Sequence, residues 1–410
     1  MQIGYIGLGT MGSALARRLL AEHQLKVWDL NPAAIEPFVK LGATAVSTAE
    51  EVALDTEIVV LCLPRSADVN HAIFGPHGLA SALSAGQLVI DQTSGTPQET
   101  RAIAAKLTER GVTMVDAPIS GNPMMVSAGR STIMASGSDE AVARAMPVLR
   151  SFGASVLRCG ARLGDAQAMK MVNNTINAGC RLATLESAAL ARKLGASLPD
   201  ITDALNRGAG RNRTSEVMLP ALAEGKPSTQ FALALMLKDL NQSTALAQEL
   251  GVPMPLASLV RGLLQVGVNT LGEGAQLEEV VKLIETMAGT KIAAPGGTAR
   301  PEVTSVVEAT VAACNIALTW EAVAVGRRFG LSLDAIASVL NTSSGCSAAS
   351  VRLIPAFSDE RGNVHAELKP LLAGLRRATQ QAIHAGAPML IANAVLGLVE
   401  GSVSASQRPA

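Results

Sequence analysis

IGYIGLGTMGSALARRL, residues 3–19, decides how the first half of this chain is read. An apolar run at 2–6 ends in Gly7, Gly9 and Gly12, and an amphipathic segment at 11–21 follows. Between a strand and a helix the GxGxxG spacing has mechanical meaning. Gly7 permits the tight turn, Gly9 lets the backbone approach a pyrophosphate, and Gly12 lets helix and strand pack closely, while the helix N-terminus favours the anion. Gly7, Leu8, Gly9, Thr10, Met11 and Gly12 are therefore expected to hold a dinucleotide. The plainer alternative is a purely structural glycine turn.

Asp29, which ends the second apolar run in VWDLNP, weighs against that alternative. A carboxylate there can accept from both hydroxyls of an adenosine ribose and repels a 2′-phosphate, and Leu30 follows it where an arginine would welcome one. NAD is expected in preference to NADP. A competing role for Asp29 is to cap a helix beginning near Pro32.

Further strands are expected at 25–28, 58–63, 88–91, 113–115 and 132–135, alternating with helices such as 98–110. That alternation predicts an α/β Rossmann domain, doubly wound around a mainly parallel sheet, over residues 1–160. From residue 163 strand signals vanish. Ala- and Leu-rich segments of 3.6-residue period take over, broken at Gly195 and at Gly251 with Pro253, and predict an all-α domain over 161–290. GTKIAAPGGTARP, residues 289–301, loses the period and marks a linker at 291–300. A second all-α domain is expected over 301–401, with a polar tail at 402–410.

The two helical domains read as an internal duplication. LESAALARKLGASLPDITDALN, from Leu185, aligns without gaps on WEAVAVGRRFGLSLDAIASVLN, from Trp320, a shift of 135 residues. The same shift lays Gly195 on Gly330, Asn206 on Asn341, and Gly251, Pro253 and Met254 on Gly386, Pro388 and Met389. A constant offset over this distance is the mark of a repeat. Polar positions are not copied: Lys170 becomes Ser305, Asn173 becomes Glu308, Asn174 becomes Ala309, Lys238 becomes Ala373 and Asp239 becomes Gly374. The second copy is expected to pack and not to react.

The bulk composition narrows the partners. With 34 basic and 34 acidic residues in 410, the chain carries no electrostatic footprint for nucleic acid or an anionic membrane, so a small molecule is expected. Five scattered cysteines without CxxC spacing indicate neither a disulfide framework nor a zinc site, and no metal is expected; a reducing cytoplasm fits them. No export signal is visible at the N-terminus. The apolar stretch 385–399 is too short for a bilayer, is interrupted by Pro388 and Asn393, and is read as a buried helix.

GDAQAMKMVNNTINA, residues 164–178, spaces Lys170, Asn173, Asn174 and Asn177 along one helical face. A helical lysine taken alone is usually a solvated charge. Near a nicotinamide, a lysine drawn out of water gives up its proton more readily and can act as a general base on a hydroxyl. Asn174, one turn on, can hold the substrate's oxygen or carboxylate. DAPISGNP, residues 116–123, follows a strand with small residues whose amides suit a carboxylate, although by itself it reads better as an ordinary turn. In NRGAGRNR, residues 206–213, Arg207, Arg211 and Arg213 lie between helices. They read either as solvated loop arginines or as a fork for a distal anion, with Arg211 the candidate contact.

Together these motifs resemble the β-hydroxyacid dehydrogenases, the family of 3-hydroxyisobutyrate dehydrogenase and tartronate semialdehyde reductase. The resemblance runs over about residues 1–286 and rests on GLGTMGSALARRL at the start, DQTSGTP from Asp91, DAPISG from Asp116, GARLGDAQAMKMVNN from Gly160 and KDLNQ from Lys238. It implies Lys170 as catalytic acid/base, and Ser120, Gly121, Asn122 and Asn174 at the substrate's carboxylate. It places Lys238 beside nicotinamide and substrate, and adds Leu63, Pro64 and Ser94 to the expected cofactor contacts. It also implies a helical domain that normally assembles with another subunit. A degenerate copy on the same chain would replace that partner, with self-association still open.

Three departures put the substrate in doubt: Gly121-Asn122 where the family has Gly-Gly, Gly129-Arg130-Ser131 where it has Gly-Thr, and Thr93-Ser94 where it has Ser-Thr. Interconversion of a small 3-hydroxy acid and its aldehyde or keto acid is the expected activity. Two alternatives remain beside it. One is a cofactor-binding sensor or scaffold on the same fold; the other is a 6-phosphogluconate dehydrogenase-like enzyme, although MVNN follows Lys170 where that family has a histidine-asparagine pair.

Overall fold

The computed structural model describes residues 1–354 and 364–406. Its contacts divide the chain into two compact units, Met1–Lys170 and a second from Met171 onward. The first holds nine strands: β1 (Gln2–Ile6), β2 (Gln24–Trp28), β3 (Thr44–Ala45), β4 (Ile58–Leu61), β5 (Leu88–Asp91), β6 (Thr113–Asp116), β7 (Ile119–Ser120), β8 (Thr132–Ser136) and β9 (Ser155–Gly160). They form one sheet in the order β3-β2-β1-β4-β5-β6-β8-β7, with β9 beside β8. The first six pair in parallel; β8 runs antiparallel to β6 and β7.

The sheet's apolar strands explain why helices cover both faces. Every residue of β4 and β5 is buried, and neighbours along a strand point to opposite cores. Tyr5, Val60 and Ile90 pack on one side with Leu15 and Leu149; Ile6, Val59, Leu61 and Val89 pack on the other with Val69 and Leu107. These last residues come from α1 (Thr10–Leu20), α4 (Ser66–Phe74), α5 (Pro97–Thr108) and α7 (Asp139–Phe152), while α2 (Pro32–Val39), α3 (Ala49–Ala53) and α6 (Pro123–Ser127) complete the set. The order of β3 to β6 reverses between β1 and β4, which puts the glycine turn at the topological switch point.

α8 (Asp165–Lys193) leaves this unit and begins the helical one. Next come α9 (Leu198–Arg207), a π-helical turn at Thr214–Met218, α10 (Leu219–Ala223), α11 (Leu233–Glu249), α12 (Pro255–Leu271) and α13 (Val280–Ala288). α14 (Pro301–Phe329), α15 (Leu333–Leu340), α16 (Ala348–Leu353), α17 (Val364–Leu368), α18 (Leu372–Ala385) and α19 (Leu390–Ser406) follow. Residues 291–300 form no helix or strand, yet Arg192 donates to the carbonyls of Ala294 and Gly296 at 2.6 and 2.7 Å and so pins this segment.

Contacts inside the helical unit are reciprocal under the 135-residue shift. Glu186 accepts the N–H groups of Leu390 and Ile391 at 2.9 and 3.0 Å, at the start of α19. Its counterpart Glu321 accepts those of Leu256 and Ala257 at 2.9 and 2.7 Å, at the start of α12. Each carboxylate thus satisfies two donors that a helix leaves open at its N-terminus. Gly210 N–H donates to Glu308 at 3.0 Å, and Gly345 N–H donates to Asn173 at 2.8 Å. Asn212 and Ser347, themselves one shift apart, form an antiparallel bridge.

Three expectations from sequence need correction. The sheet has three strands beyond those expected, β3, β7 and β9, two of them only two residues long. The stretch 385–399 is not one helix: α18 stops at Ala385, Gly386 takes φ +65°, and α19 starts at Leu390. α19 then continues to Ser406, into the segment expected to be a polar tail, whose last residues, 407–410, lie outside the described ones. One described helix, Pro301–Phe329, is long and apolar enough to cross a membrane, and 83% of its most apolar window is buried in the protein, as a core helix requires.

Candidate active site

The glycine turn is built as its spacing demands. Gly7 sits at φ +97°, and a Cβ there would stand 2.2 Å from the Cys62 carbonyl oxygen; one at Gly12 would stand 1.9 Å from that of Gly7. Beyond Gly9 and its immediate chain neighbours, no protein atom lies within 4 Å of the place a Gly9 Cβ would fill, and no side chain caps the start of α1. Open space at an uncapped helix N-terminus is the cradle a pyrophosphate needs, so the residues present fit a dinucleotide. Thr10 and Met11 open α1 at this cradle.

Asp29 is oriented from two sides. Leu8 N–H donates to one carboxylate oxygen at 2.6 Å and Asn31 N–H to the other at 2.8 Å. The cap of α2 is Asn31, whose side chain accepts from Ala33 N–H at 3.1 Å, so helix capping does not account for Asp29. Beyond β4, Leu63 N–H donates to the Thr93 hydroxyl at 3.0 Å, and Thr93 N–H to Asp91 at 2.9 Å. These bonds tie the Leu63-Pro64 segment to the Thr93-Ser94 segment.

Lys170 is 8% exposed, and its Nζ donates to the Ile119 carbonyl at 2.7 Å. β7 therefore brings the Lys170 Nζ to the residue preceding Ser120, itself buried. Gly121 stands at φ +155°, where a Cβ would meet that of Ser131 at 3.2 Å. Asn122 caps α6 by accepting from Met125 N–H at 2.8 Å, which gives a local task to the residue that departs from the family's second glycine.

The first turns of α8 are anchored by groups the sequence reading passed over. Asp116, at the end of β6, accepts from Ser136 at 2.5 Å, Gly164 N–H at 3.2 Å and Gln167 N–H at 3.3 Å. Burial pushes its carboxyl up to about 7 against these donors. Gln167 accepts from Gly95 N–H and donates to the Thr93 carbonyl, both at 2.9 Å. The signal for both lay in the quoted motifs, but not the pairing between them.

In the helical unit, Asn174 is 2% exposed and donates to Asp239 at 2.5 Å. The other Asp239 oxygen pairs with Lys238 Nζ at 3.1 Å. Asn173 donates to the Asn174 side-chain oxygen at 2.9 Å. Asn174 and Lys238 are thus brought together through Asp239. Arg211 and Arg213 both pair with Glu216, at 2.9 and 3.3 Å, and Arg207 with Asp203 at 2.6 Å. Among the described residues, no three His, Cys, Asp or Glu side chains are grouped to hold a metal ion.

A glycine cradle at the switch point of a 3-2-1-4-5-6 sheet defines the first unit as a dinucleotide-binding domain of the kind oxidoreductases use. The family model described as the NAD binding domain of 6-phosphogluconate dehydrogenase matches residues 2–160. That described as NAD-binding of NADP-dependent 3-hydroxyisobutyrate dehydrogenase matches residues 164–284 and 302–409. The chain is 31% identical to 2-(hydroxymethyl)glutarate dehydrogenase of Eubacterium barkeri, over 71% of this chain and 97% of that protein. A solved 3-hydroxyisobutyrate dehydrogenase from Salmonella typhimurium superposes with a TM-score of 0.62 at 29% identity, covering 69% of this chain and 99% of its own. The 6-phosphogluconate dehydrogenase of Plasmodium falciparum shares the fold along 100% of this chain and 94% of its own, with a TM-score of 0.75 at 16% identity. The chain belongs to the 3-hydroxyisobutyrate dehydrogenase family of hydroxyacid dehydrogenases, NAD(P)-dependent enzymes acting on CH–OH.

Proposed function

We propose that this enzyme interconverts a small 3-hydroxy acid and its aldehyde or keto acid, using NAD in preference to NADP, with Lys170 as general acid/base. The observation that carries the reading is the buried Lys170 Nζ on the Ile119 carbonyl, next to Ser120 and Gly121. In the oxidative direction the substrate hydroxyl gives its proton to the neutral amine of Lys170, which becomes the ammonium, as the carbon-bound hydrogen leaves as hydride. A bound dinucleotide would supply the hydride acceptor, held by Gly7 to Gly12, Asp29, Leu63, Pro64 and Ser94. Ser120, Gly121, Asn122 and Asn174 hold the substrate's carboxylate end, and Lys238 lies beside nicotinamide and substrate. The preference for NAD is supported by Asp29, whose two oxygens are fixed by backbone N–H groups and would meet a 2′-phosphate with like charge.

Arg211 is assigned a distal anion on the substrate. A relative named for a dicarboxylate supports this, and the partly exposed ion pair with Glu216 leaves guanidinium donors to spare. A cytoplasmic setting suits five free cysteines. Residues 301–401 are read as a duplicated helical domain standing in for a subunit partner, supported by the reciprocal contacts of Glu186 and Glu321. Truncation after Ala299 should then lower stability or change the association state; an equally stable enzyme of unchanged association would remove this reading.

The test of activity is reduction of NAD or NADP with 3-hydroxyisobutyrate, glycerate, serine, threonate, 2-(hydroxymethyl)glutarate and phosphorylated analogues. Turnover should fall by roughly 10²–10⁴-fold in Lys170→Ala with dinucleotide affinity kept. A Lys170→Ala enzyme that turns over normally would refute the assignment, and Arg211→Met with unchanged KM for a dicarboxylate would remove the distal-anion role.

A further inference from the structure

We propose that the Ser343-Ser344-Gly345 turn of the second helical copy is a positioning element of the substrate site, acting on Asn174 through Asn173. Asn173 is fully buried, and its oxygen accepts from the Ser343 hydroxyl at 2.5 Å and from Gly345 N–H at 2.8 Å. Its amide nitrogen donates to the Ser344 hydroxyl and to the Asn174 oxygen, both at 2.9 Å. Asn174 then donates to Asp239, which pairs with Lys238. One continuous polar chain runs from a turn of the second copy to two residues assigned to substrate and nicotinamide.

The direction of each bond matters. Two donors on the Asn173 oxygen force its NH₂ toward Asn174, and that NH₂ forces the Asn174 oxygen inward and its NH₂ toward Asp239. A flipped Asn173 would set its NH₂ against Gly345 N–H and its oxygen against the Asn174 oxygen, and a flipped Asn174 would set its oxygen against the Asp239 carboxylate. The 343–345 turn therefore fixes which end of Asn173 faces Asn174, and with Asp239 on the far side it holds Asn174 in one orientation that a buried network makes costly to reverse. The opposite contact of the pseudo-twofold shows what packing alone looks like. There Gly210 N–H meets Glu308, Asn173's counterpart, and the residue after Glu308 is Ala309, which has nothing to orient.

The inference rests on Asn174 binding substrate, and the experiment separates the two. Ser343→Ala should raise KM for the best hydroxy acid of the panel by about tenfold, while KM for the dinucleotide and Tm stay near those of the parent. Ser343→Thr, which keeps the hydroxyl, should restore it. In an Asn174→Ala background, Ser343→Ala should add nothing. The amide NH₂ resonances of Asn174, assigned by their loss in Asn174→Ala, should shift in Ser343→Ala without any substrate present. Glu308→Gln, across the pseudo-twofold, should alter stability and leave the hydroxy-acid KM unchanged. Unmoved resonances and KM in Ser343→Ala, or a parallel loss of Tm and both KM values, overturn the positioning role. If Asn174→Ala itself binds every hydroxy acid normally, the underlying site assignment fails instead.

Discussion

α8 and α14 are both 29 residues long and are related by the 135-residue shift, yet they bury different chemistry. α8 buries Lys170, Asn173, Asn174 and Asn177; at the matching positions α14 has an exposed Ser305, a half-buried Glu308, Ala309 and Ala312. Glu186 and Glu321, by contrast, are the same residue making the same contact in both directions. Glu186 and Glu321 thus occur in both halves, Lys170, Asn174 and Lys238 in one, and Asn173 belongs both to the stripe and to the contact between the halves.

The sharpest break of the comparison is at Asp239, whose counterpart is Gly374. Asp239→Ala should lower kcat/KM by about 10–100-fold, since it leaves the buried Asn174 amide and Lys238 without their shared acceptor. Steady-state kinetics would show it, and a change below about twofold would detach Asp239 from the site.

Interface carboxylates come next. Glu186→Ala and Glu321→Ala should each cost about 1–3 kcal/mol in denaturant unfolding, for the loss of two helix N-terminal acceptors. Equal costs support the twofold relation, and a cost confined to one breaks it.

Acidity supplies a smaller, graded effect. Burial raises both carboxyls from 4.5 to about 7 against the N–H groups they accept. Between those values the folded chain binds protons that the unfolded chain has released, so these groups stabilise below about pH 4.5 and the contribution is lost as pH rises through about 7. The double variant Glu186→Gln, Glu321→Gln should flatten unfolding free energy against pH in that window. Smallest of all is the pair at the rim, where Arg328 donates to the Leu250 carbonyl and Lys193 to that of Gly386, each at 3.3 Å. Arg328→Met should cost no more than about 0.5 kcal/mol in the same unfolding assay.

The legible parts of this molecule were those with period or spacing. The strand, glycine turn and helix at 2–20 were readable because three glycines sit at a spacing with a mechanical reason, while the proposed repeat rests on twenty-two residues that align at one offset. β7 was not, because Ile119 and Ser120 are too few to carry an alternation, and they pair only once β8 is beside them. That short strand is also what delivers the Ile119 carbonyl to Lys170. The partners of Asn173 lie 170 residues and more along the chain, beyond any local pattern. Lys170 and Asn174 could be named from their stripe, whereas what orients them belongs to the fold.

The most direct test of the division between the copies is a single turnover. The enzyme with NAD bound is mixed with the best hydroxy acid of the panel, and reduced nicotinamide is followed by absorbance. The parent and Ser305→Ala should give the same rapid rise, and Lys170→Ala should give a rise slower by roughly 10²–10⁴-fold. A rise in Lys170→Ala as fast as the parent's, with dinucleotide bound in both, would contradict the account.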